Sequence, residues 1–202
     1  MRIPKQLLIG TKCAAKLREI KEILGEVPCE LLSPEEVGPL PEVAEDGATF
    51  EDNACKKACE LARHFNMAVL ADDSGIEVDA LGGRPGVLSR RYGGDDATDA
   101  ENNLKLLAEL EGVAEEKRTA RYRCVVALAT PRGLQLTADG SCNGRIATEP
   151  AGANGFGYDP LFYYESYGAT FGLIDPILKN QVSHRAEAVR KLKELLLKGR
   201  KS

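Results

Sequence analysis

The chain has 202 residues, 27 Lys plus Arg against 31 Asp plus Glu, a formal charge of −4 and 43% apolar residues. These proportions exclude disorder and collagen, and at roughly 100–200 residues per domain the length suits one large domain of two lobes sharing a core. The negative charge speaks against binding nucleic acid by bulk electrostatics, and no apolar run reaches the roughly 18–20 residues of a membrane span, so a small partner and no membrane are expected.

KQLLIG at residues 5–10 reads as a short buried strand, and Leu17, Ile20 and Leu24 then recur with helical spacing. A second strand is expected at Cys29 to Leu32, followed by a long surface loop, SPEEVGPLPEVAEDG, which has no periodicity. Thr49 with Asp52 three residues on forms a capping-box variant, and Phe50, Ala54, Ala58, Leu61 and Phe65 mark one face of a helix to about residue 65. MAVLADDSGIEVDAL suggests two strands around a polar turn at Asp72 to Gly75, and GGRPGVLSRRYGG a loop. The next helix covers about 98–110 with Leu104, Leu107 and Leu110 on one face. TARYRCVVALATP and GLQLTADGSCNGRIA then read as long strands in a hairpin turned at Pro131 to Gly133. The last helix begins near Ser183 and buries Val189, Leu192, Leu195 and Leu196. Strands and helices interleave without a regular βαβ period, which predicts an α/β protein with a mixed, strongly twisted central sheet and helices on both sides.

The N-terminus MRIPKQLLIG has too short an apolar stretch for a signal peptide, so a cytoplasmic location is expected. Cys13, Cys29, Cys55, Cys59, Cys124 and Cys142 never form a C-x-x-C pair, which predicts reduced structural thiols without zinc. Two histidines leave little material for a zinc hydrolase or a Ser-His-Asp triad, so carboxylates must carry most of any catalysis.

Four segments concentrate chemistry. GTKCAAK precedes the first helix and reads either as a plain strand-to-helix turn with solvated lysines or as a phosphate site, where backbone N–H groups and the helix dipole attract phosphate and Lys12 and Lys16 add charge. DDSG fits a polar turn closing a hairpin as well as a site, and as a site Glu45, Asp72 and Asp73 offer hard oxygen ligands suited to Mg²⁺, which takes one or two protein carboxylates plus substrate phosphates. Residues 156–171 hold seven of the eleven aromatic residues, a cluster that fits an aromatic core or a base pocket equally well. Phe156 and Tyr158 lie there among glycines that let a planar ligand approach, and Asp159 before Pro160 is a fixed acceptor. Lys179, His184 and Arg185 complete the set. Two basic side chains in a first helical turn oppose the dipole, a local rule of the kind that sites break, although a solvated Arg and a capped His fit the residues equally well.

The string from Glu45 to Tyr92, EDGATFEDNACKKACELARHFNMAVLADDSGIEVDALGGRPGVLSRRY, with FGYDP at 156–160 and SHR at 183–185, resembles the inosine/xanthosine triphosphate pyrophosphatase family over almost the whole chain. The resemblance implies a single nucleotide pyrophosphatase domain over residues 1–202, an α/β fold whose two lobes flank an active-site cleft, and a homodimer. It also implies Mg²⁺-dependent hydrolysis of non-standard purine nucleoside triphosphates (ITP, dITP, XTP) to the monophosphate and pyrophosphate, an activity that cleanses the nucleotide pool. By the same resemblance Thr11, Lys12, Cys13 and Lys16 form the triphosphate loop, Glu45 and Asp73 hold the metal, and Asp73 is the proton acceptor with Asp72 beside it. Ser74 would touch substrate, and Phe156, Gly157, Tyr158 and Asp159 would form the base-stacking segment. Lys179, His184 and Arg185 would close the base and phosphate side, with Lys57 and Arg90 as further basic contacts. Hypoxanthine and xanthine present a carbonyl at position 6 and an N–H at position 1, which an Arg donor and an Asp acceptor fit and adenine reverses. An unsatisfied buried group costs about 1–3 kcal/mol, enough to discriminate.

The family loop reads Thr or Ser, Gly, Asn, two variable residues, then Lys, whereas this chain has Lys12 and Cys13 at the Gly and Asn positions. Cysteine lacks the amide donors of Asn, and Lys12 lacks the freedom of glycine at positive φ. Two other readings stay open. One is a pyrophosphatase of different base choice, such as the Maf-like house-cleaning enzymes, whose arginine-rich N-terminal signature is absent here. The other is a non-catalytic nucleotide-binding relative, against which the retention of Glu45, Asp72 and Asp73 speaks. Lys12 is expected to compensate by charge, so Lys12→Gly with Cys13→Asn should leave kcat/KM close to that of the parent. A gain of orders of magnitude would show the loop to be impaired.

Overall fold

Three apolar residues in a row, Leu7, Leu8 and Ile9, can all be buried only in a strand covered on both faces, and strand β1 (Gln6–Ile9) is such a strand. The structure is a computed structural model that describes residues 3–198. Helix α1 (Ala14–Leu24) follows, then β2 (Glu30–Leu32), α2 (Pro34–Val37), α3 (Phe50–Phe65) and β3 (Ala68–Val78). Helix α4 (Asp99–Glu109), β4 (Thr119–Thr130), β5 (Gly133–Ile146), β6 (Phe162–Tyr164), β7 (Ala169–Thr170), α5 (Pro176–Val182) and α6 (His184–Lys198) complete the order. The seven strands form one mixed sheet in the order β2-β1-β3-β4-β5-β6-β7. β1 runs parallel to β2 and β3, with Leu7 opposite Ala68 and Ile9 opposite Leu70, while β6 is antiparallel to both β5 and β7.

The chain forms two compact units. The first is drawn, within the described residues, from Met1–Asp73, Cys124–Gly140 and His184–Ser202, and the second from Ser74–Arg123 and Ser141–Ser183. In the first, Leu7, Ile9, Leu70, Val126 and Leu128 alternate along their strands and bury against Ile20 and Leu24 of α1 and Val189, Leu192 and Leu196 of α6. Leu8 and Val69 take the other face, where a Cβ on Gly10 would lie 2.7 Å from Leu61 of α3 and 3.0 Å from Val69. The second unit has its own core, built from Ile76, Val78, Leu106, Tyr122, Phe162 and Phe171 among others.

The α3 capping box forms as its sequence predicts, with Thr49 Oγ1 accepting from Asp52 N–H at 3.1 Å and the Asp52 carboxylate accepting from Thr49 N–H at 3.1 Å. Other expectations are corrected. Asp72–Gly75 is no turn, because β3 runs unbroken through it with Asp72 and Asp73 both buried, so neighbouring backbone on each side overrides the local polar signal. The predicted long loop after β2 begins as α2, since the Glu36 carboxylate accepts from both N–H and Oγ of Ser33. Leu104 and Leu195 are exposed at 66% and 42%, and the buried face of α4 is Asn102 and Leu106, with Leu110 just past its end. The segment 86–91, expected as loop, makes a 3-10 turn.

Helix α6 sits directly on β5. A Cβ on Gly140 would stand 2.5 Å from the amide nitrogen of Ala188 and closer still to the carbonyl oxygen of His184. Gly140→Ala should therefore lower stability by about 1–3 kcal/mol in urea denaturation. An unchanged midpoint would mean that α6 is not held by this contact.

Candidate active site

Successive residues of a strand face opposite sides of a sheet, so two adjacent aspartates in β3 cannot share one environment. Asp72 is two residues beyond Leu70 and faces the side covered by α1 and α6. There Lys16 Nζ of α1 lies 2.9 Å from its carboxylate and Arg185 Nε of α6 at 3.4 Å. Lys57 of α3 donates to the Asp72 backbone carbonyl at 3.0 Å. Burial alone would raise the Asp72 carboxyl, but Lys16, Arg185 and Lys57 outweigh it and hold it far below the usual carboxylate range. Arg185 is itself 1% exposed and also pairs with Glu19 at 2.6 Å. Burial opposes its charge, yet Asp72 and Glu19 hold it firmly protonated, which explains a basic residue in the first turn of α6.

Asp73 faces the α3 side. Asn53 Nδ2 donates to its carboxylate at 3.0 Å. Burial raises the Asp73 carboxyl, the Asn53 hydrogen bond lowers it, and the nearby negative charge of Glu45 raises it again, so that it ends above the ordinary value. Glu45 reaches this place from the loop before α3, tied to Lys57 by an ion pair, while Lys56 grips the neighbouring Asp46 at 2.6 Å. Burial disfavours the Lys57 charge, but Asp72 and Glu45 keep it protonated. Cys124, a buried neighbour on β4, is pushed up to about 12 by burial and offers no thiolate.

At the start of α1, Thr11 Oγ1 accepts from the N–H of Cys13 at 3.2 Å, which fixes the turn, and Cys13 occupies the N-cap position without a side-chain capping bond. Lys12 is exposed, and its backbone needs no positive φ, since Asn66 is the one non-glycine residue with positive φ among the described residues. The glycine freedom that the family loop would use is not drawn on here.

The second unit holds the FGYDP segment. Asp159 accepts from the Phe156 N–H at 2.8 Å, from Tyr122 Oη at 3.2 Å and from Lys179 Nζ at 2.5 Å, all buried or nearly so. A Cβ on Gly155, whose φ is +79°, would run into the Asp159 carboxylate, so both conformation and space demand glycine there. Lys179 Nζ stands 4.7 Å from the centre of the half-buried Phe156 ring. Burial raises the Asp159 carboxyl and Lys179 opposes that, with a net rise. Gly157 is held through its N–H by Asp99 at 2.7 Å and through its carbonyl by Asn103 at 3.0 Å.

The site residues expected from sequence thus fall into three groups. Lys16, Asp72 and Arg185 form one, Glu45, Lys57 and Asp73 a second, and Phe156, Asp159 and Lys179 a third. The others are placed as follows. The Tyr158 ring is in the hydrophobic core with its hydroxyl donating to Ser89 O at 2.8 Å, so part of the aromatic run is core, while Phe156 is half-buried. Arg90 is exposed and donates to Ala97 O at 2.7 Å, Ser74 is half-buried, and His184 is buried. Glu19, Asn53 and Tyr122 went unnoticed in the sequence. Only Asn53 carried a signal, an amide placed inside the apolar face of α3.

Against known proteins, the family model described as Ham1 family matches residues 7–195. A dITP/XTP pyrophosphatase of Syntrophobacter fumaroxidans is 53% identical over 186 residues, covering 92% of this chain and 79% of that protein. One of the same name from Geobacter sulfurreducens is 50% identical over 191 residues, covering 95% of this chain and 96% of that protein. The solved structure of a HAM1 protein from Coxiella burnetii matches with TM-score 0.87 and 38% identity, covering 96% of this chain and 98% of that one.

The Asp159–Lys179 pair makes a test of its own. Lys179→Met leaves a buried carboxylate uncompensated and should cost about 3–5 kcal/mol in urea denaturation. Adding Asp159→Asn should recover part of that loss. Equal stability of the single and double variants would show that the two charges do not depend on each other.

Proposed function

The chain belongs to the Ham1 family, and on that premise we propose that it hydrolyses non-standard purine nucleoside triphosphates (dITP, XTP and ITP) to the monophosphate and pyrophosphate. The observation that carries this reading is the division of labour between two adjacent aspartates. Asp72 is locked between Lys16 and Arg185, while Asp73 sits with Asn53 and Glu45 on the other side of the same strand. Neighbouring carboxyls whose environments push their protonation apart are the arrangement from which acid-base roles are read. Asp73 is the one suited to take a proton.

The donor set fits Mg²⁺. Glu45 and Asp73 are close enough to repel, and among the described residues no cluster of three or more His, Cys, Asp or Glu side chains could hold a metal by itself. Mg²⁺ takes one or two carboxylates and completes its shell with water and substrate phosphates, so this pair is sufficient. Bound there, the ion would neutralise phosphate oxygens. Asp73 accepts a proton from the water that attacks the α-phosphorus, the bond from that phosphorus to the bridging oxygen breaks, and pyrophosphate leaves. Lys12, Lys16 and the first N–H groups of α1 hold the triphosphate. Arg185 acts behind Asp72.

In the second unit the Phe156 face offers stacking, and Lys179, aimed by Asp159, is the donor that a 6-keto purine accepts from and a 6-amino purine cannot. Asp159 is occupied by Lys179 and Phe156, so it serves the base through them. The family resemblance extends the proposal to a cytoplasmic homodimer. No helix of the described residues is long and apolar enough to cross a membrane.

The deciding experiment measures pyrophosphate and orthophosphate release from ITP, dITP, XTP, GTP, ATP and dTTP with Mg²⁺. Pyrophosphate from dITP or XTP is expected at kcat/KM at least about 100-fold above ATP, with turnover lost in Asp73→Asn while the nucleotide still binds. Tight binding without turnover in the parent chain, or preference for another base, would overturn the reading.

A further inference from the structure

Asn53 is 1% exposed at the fourth position of α3, on a face otherwise made of Phe50, Ala54, Ala58 and Leu61. A buried amide on an apolar face is costly unless both ends are satisfied, and here both are. Oδ1 accepts from the N–H of Gly47 at 2.8 Å, and Nδ2 donates to the Asp73 carboxylate at 3.0 Å. The orientation of the amide is determined by its partners, because an N–H needs an acceptor and a carboxylate needs a donor. Gly47 lies two residues after Glu45, and the fit is close. A Cβ on Gly47 would stand 2.6 Å from Asp52 Cβ and 2.7 Å from Asn53 Oδ1.

One side chain therefore joins the loop that carries Glu45 to the strand that carries Asp73. We infer that Asn53 is a positioning residue that fixes the Glu45 loop and the Asp73 carboxylate relative to each other, so that both can act on one divalent cation; this rests on the function proposed above. No other neutral side chain of this size supplies a fixed donor and a fixed acceptor at once. Groups that orient metal-binding side chains govern affinity without touching the metal.

The test is a titration of the nucleotide-free chain with Mn²⁺ followed by electron paramagnetic resonance, with the Mg²⁺ dependence of dITP turnover beside it. Asn53→Ala should weaken Mn²⁺ binding by about 10–100-fold and raise half-saturating Mg²⁺ in the same proportion, with KM for dITP at saturating Mg²⁺ unchanged. Gly47→Ala reaches the same link from a half-exposed loop and should shift both in the same direction. The double variant should be no worse than Asn53→Ala, because a link can be broken only once. If Asn53→Ala does not fold by circular dichroism, Gly47→Ala decides alone. Asp73→Asn separates the two levels of the argument. Weak Mn²⁺ binding in Asp73→Asn with parental binding in the Asn53 and Gly47 variants overturns the positioning role and leaves the function standing. Parental binding in Asp73→Asn overturns the metal assignment and the inference with it. A rise in KM for dITP matching the loss of metal affinity, or additive effects in the double variant, would reduce Asn53 to a structural residue.

Discussion

Strand β3 has a period of two, and at Asp72 and Asp73 that period assigns two identical side chains to opposite sides of the sheet. One faces the lysine of α1 and the arginine of α6, and the other faces the asparagine of α3. A slip of one residue would exchange them and turn every apolar neighbour with them. Parallel pairing with β1, Leu7 to Ala68 and Ile9 to Leu70, together with apolar cover on both faces, holds the register against that.

The charges placed by this strand are expensive to bury, and the structure answers each with a partner. Arg185 lies between Asp72 and Glu19, and its own helix dipole would repel it, so two carboxylates are needed to keep it in place. Lys179 and Asp159 answer each other in the second unit. Such pairs add little net stability compared with apolar packing, but they fix direction. A guanidinium or ammonium held by a carboxylate cannot wander, and groups already oriented need no reorganisation when a charged ligand arrives.

Asp73 is held differently, by the amide of Asn53. Its burial and the nearby Glu45 leave it less comfortable as an anion than Asp72, although the two are neighbours in the chain. A carboxylate stabilised as fully as Asp72 would be a poor proton acceptor. Asn53 provides one hydrogen bond, enough to orient the group without removing its basicity.

Much of this could be read in the residues themselves. The Thr49–Asp52 box, the apolar triplet of β1 and the strand-loop-helix opening are local signals, decided by hydrogen bonds and periodicity within a few residues. The long DDSG-containing string and the FGYDP and SHR segments carry the family resemblance. Contacts over long separations could not be read there. Asp72 to Gly75 looked like a turn because its polarity is local, whereas its strand conformation is imposed by neighbours on both sides. The helical spacing that put Leu104 and Leu195 on apolar faces says nothing about where a covering element ends, and both are exposed. Arg185 was legible as an unusual basic residue, but its partners lie 113 residues away at Asp72 and 166 at Glu19. The sequence by itself determined the family, most of the longer helices and strands and the chemical inventory, since these depend on residue identity and short-range order. Only the tertiary structure decided which aspartate meets Lys16 and Arg185 and which meets Asn53, because that depends on the sheet face each one occupies and on groups brought together from distant parts of the chain.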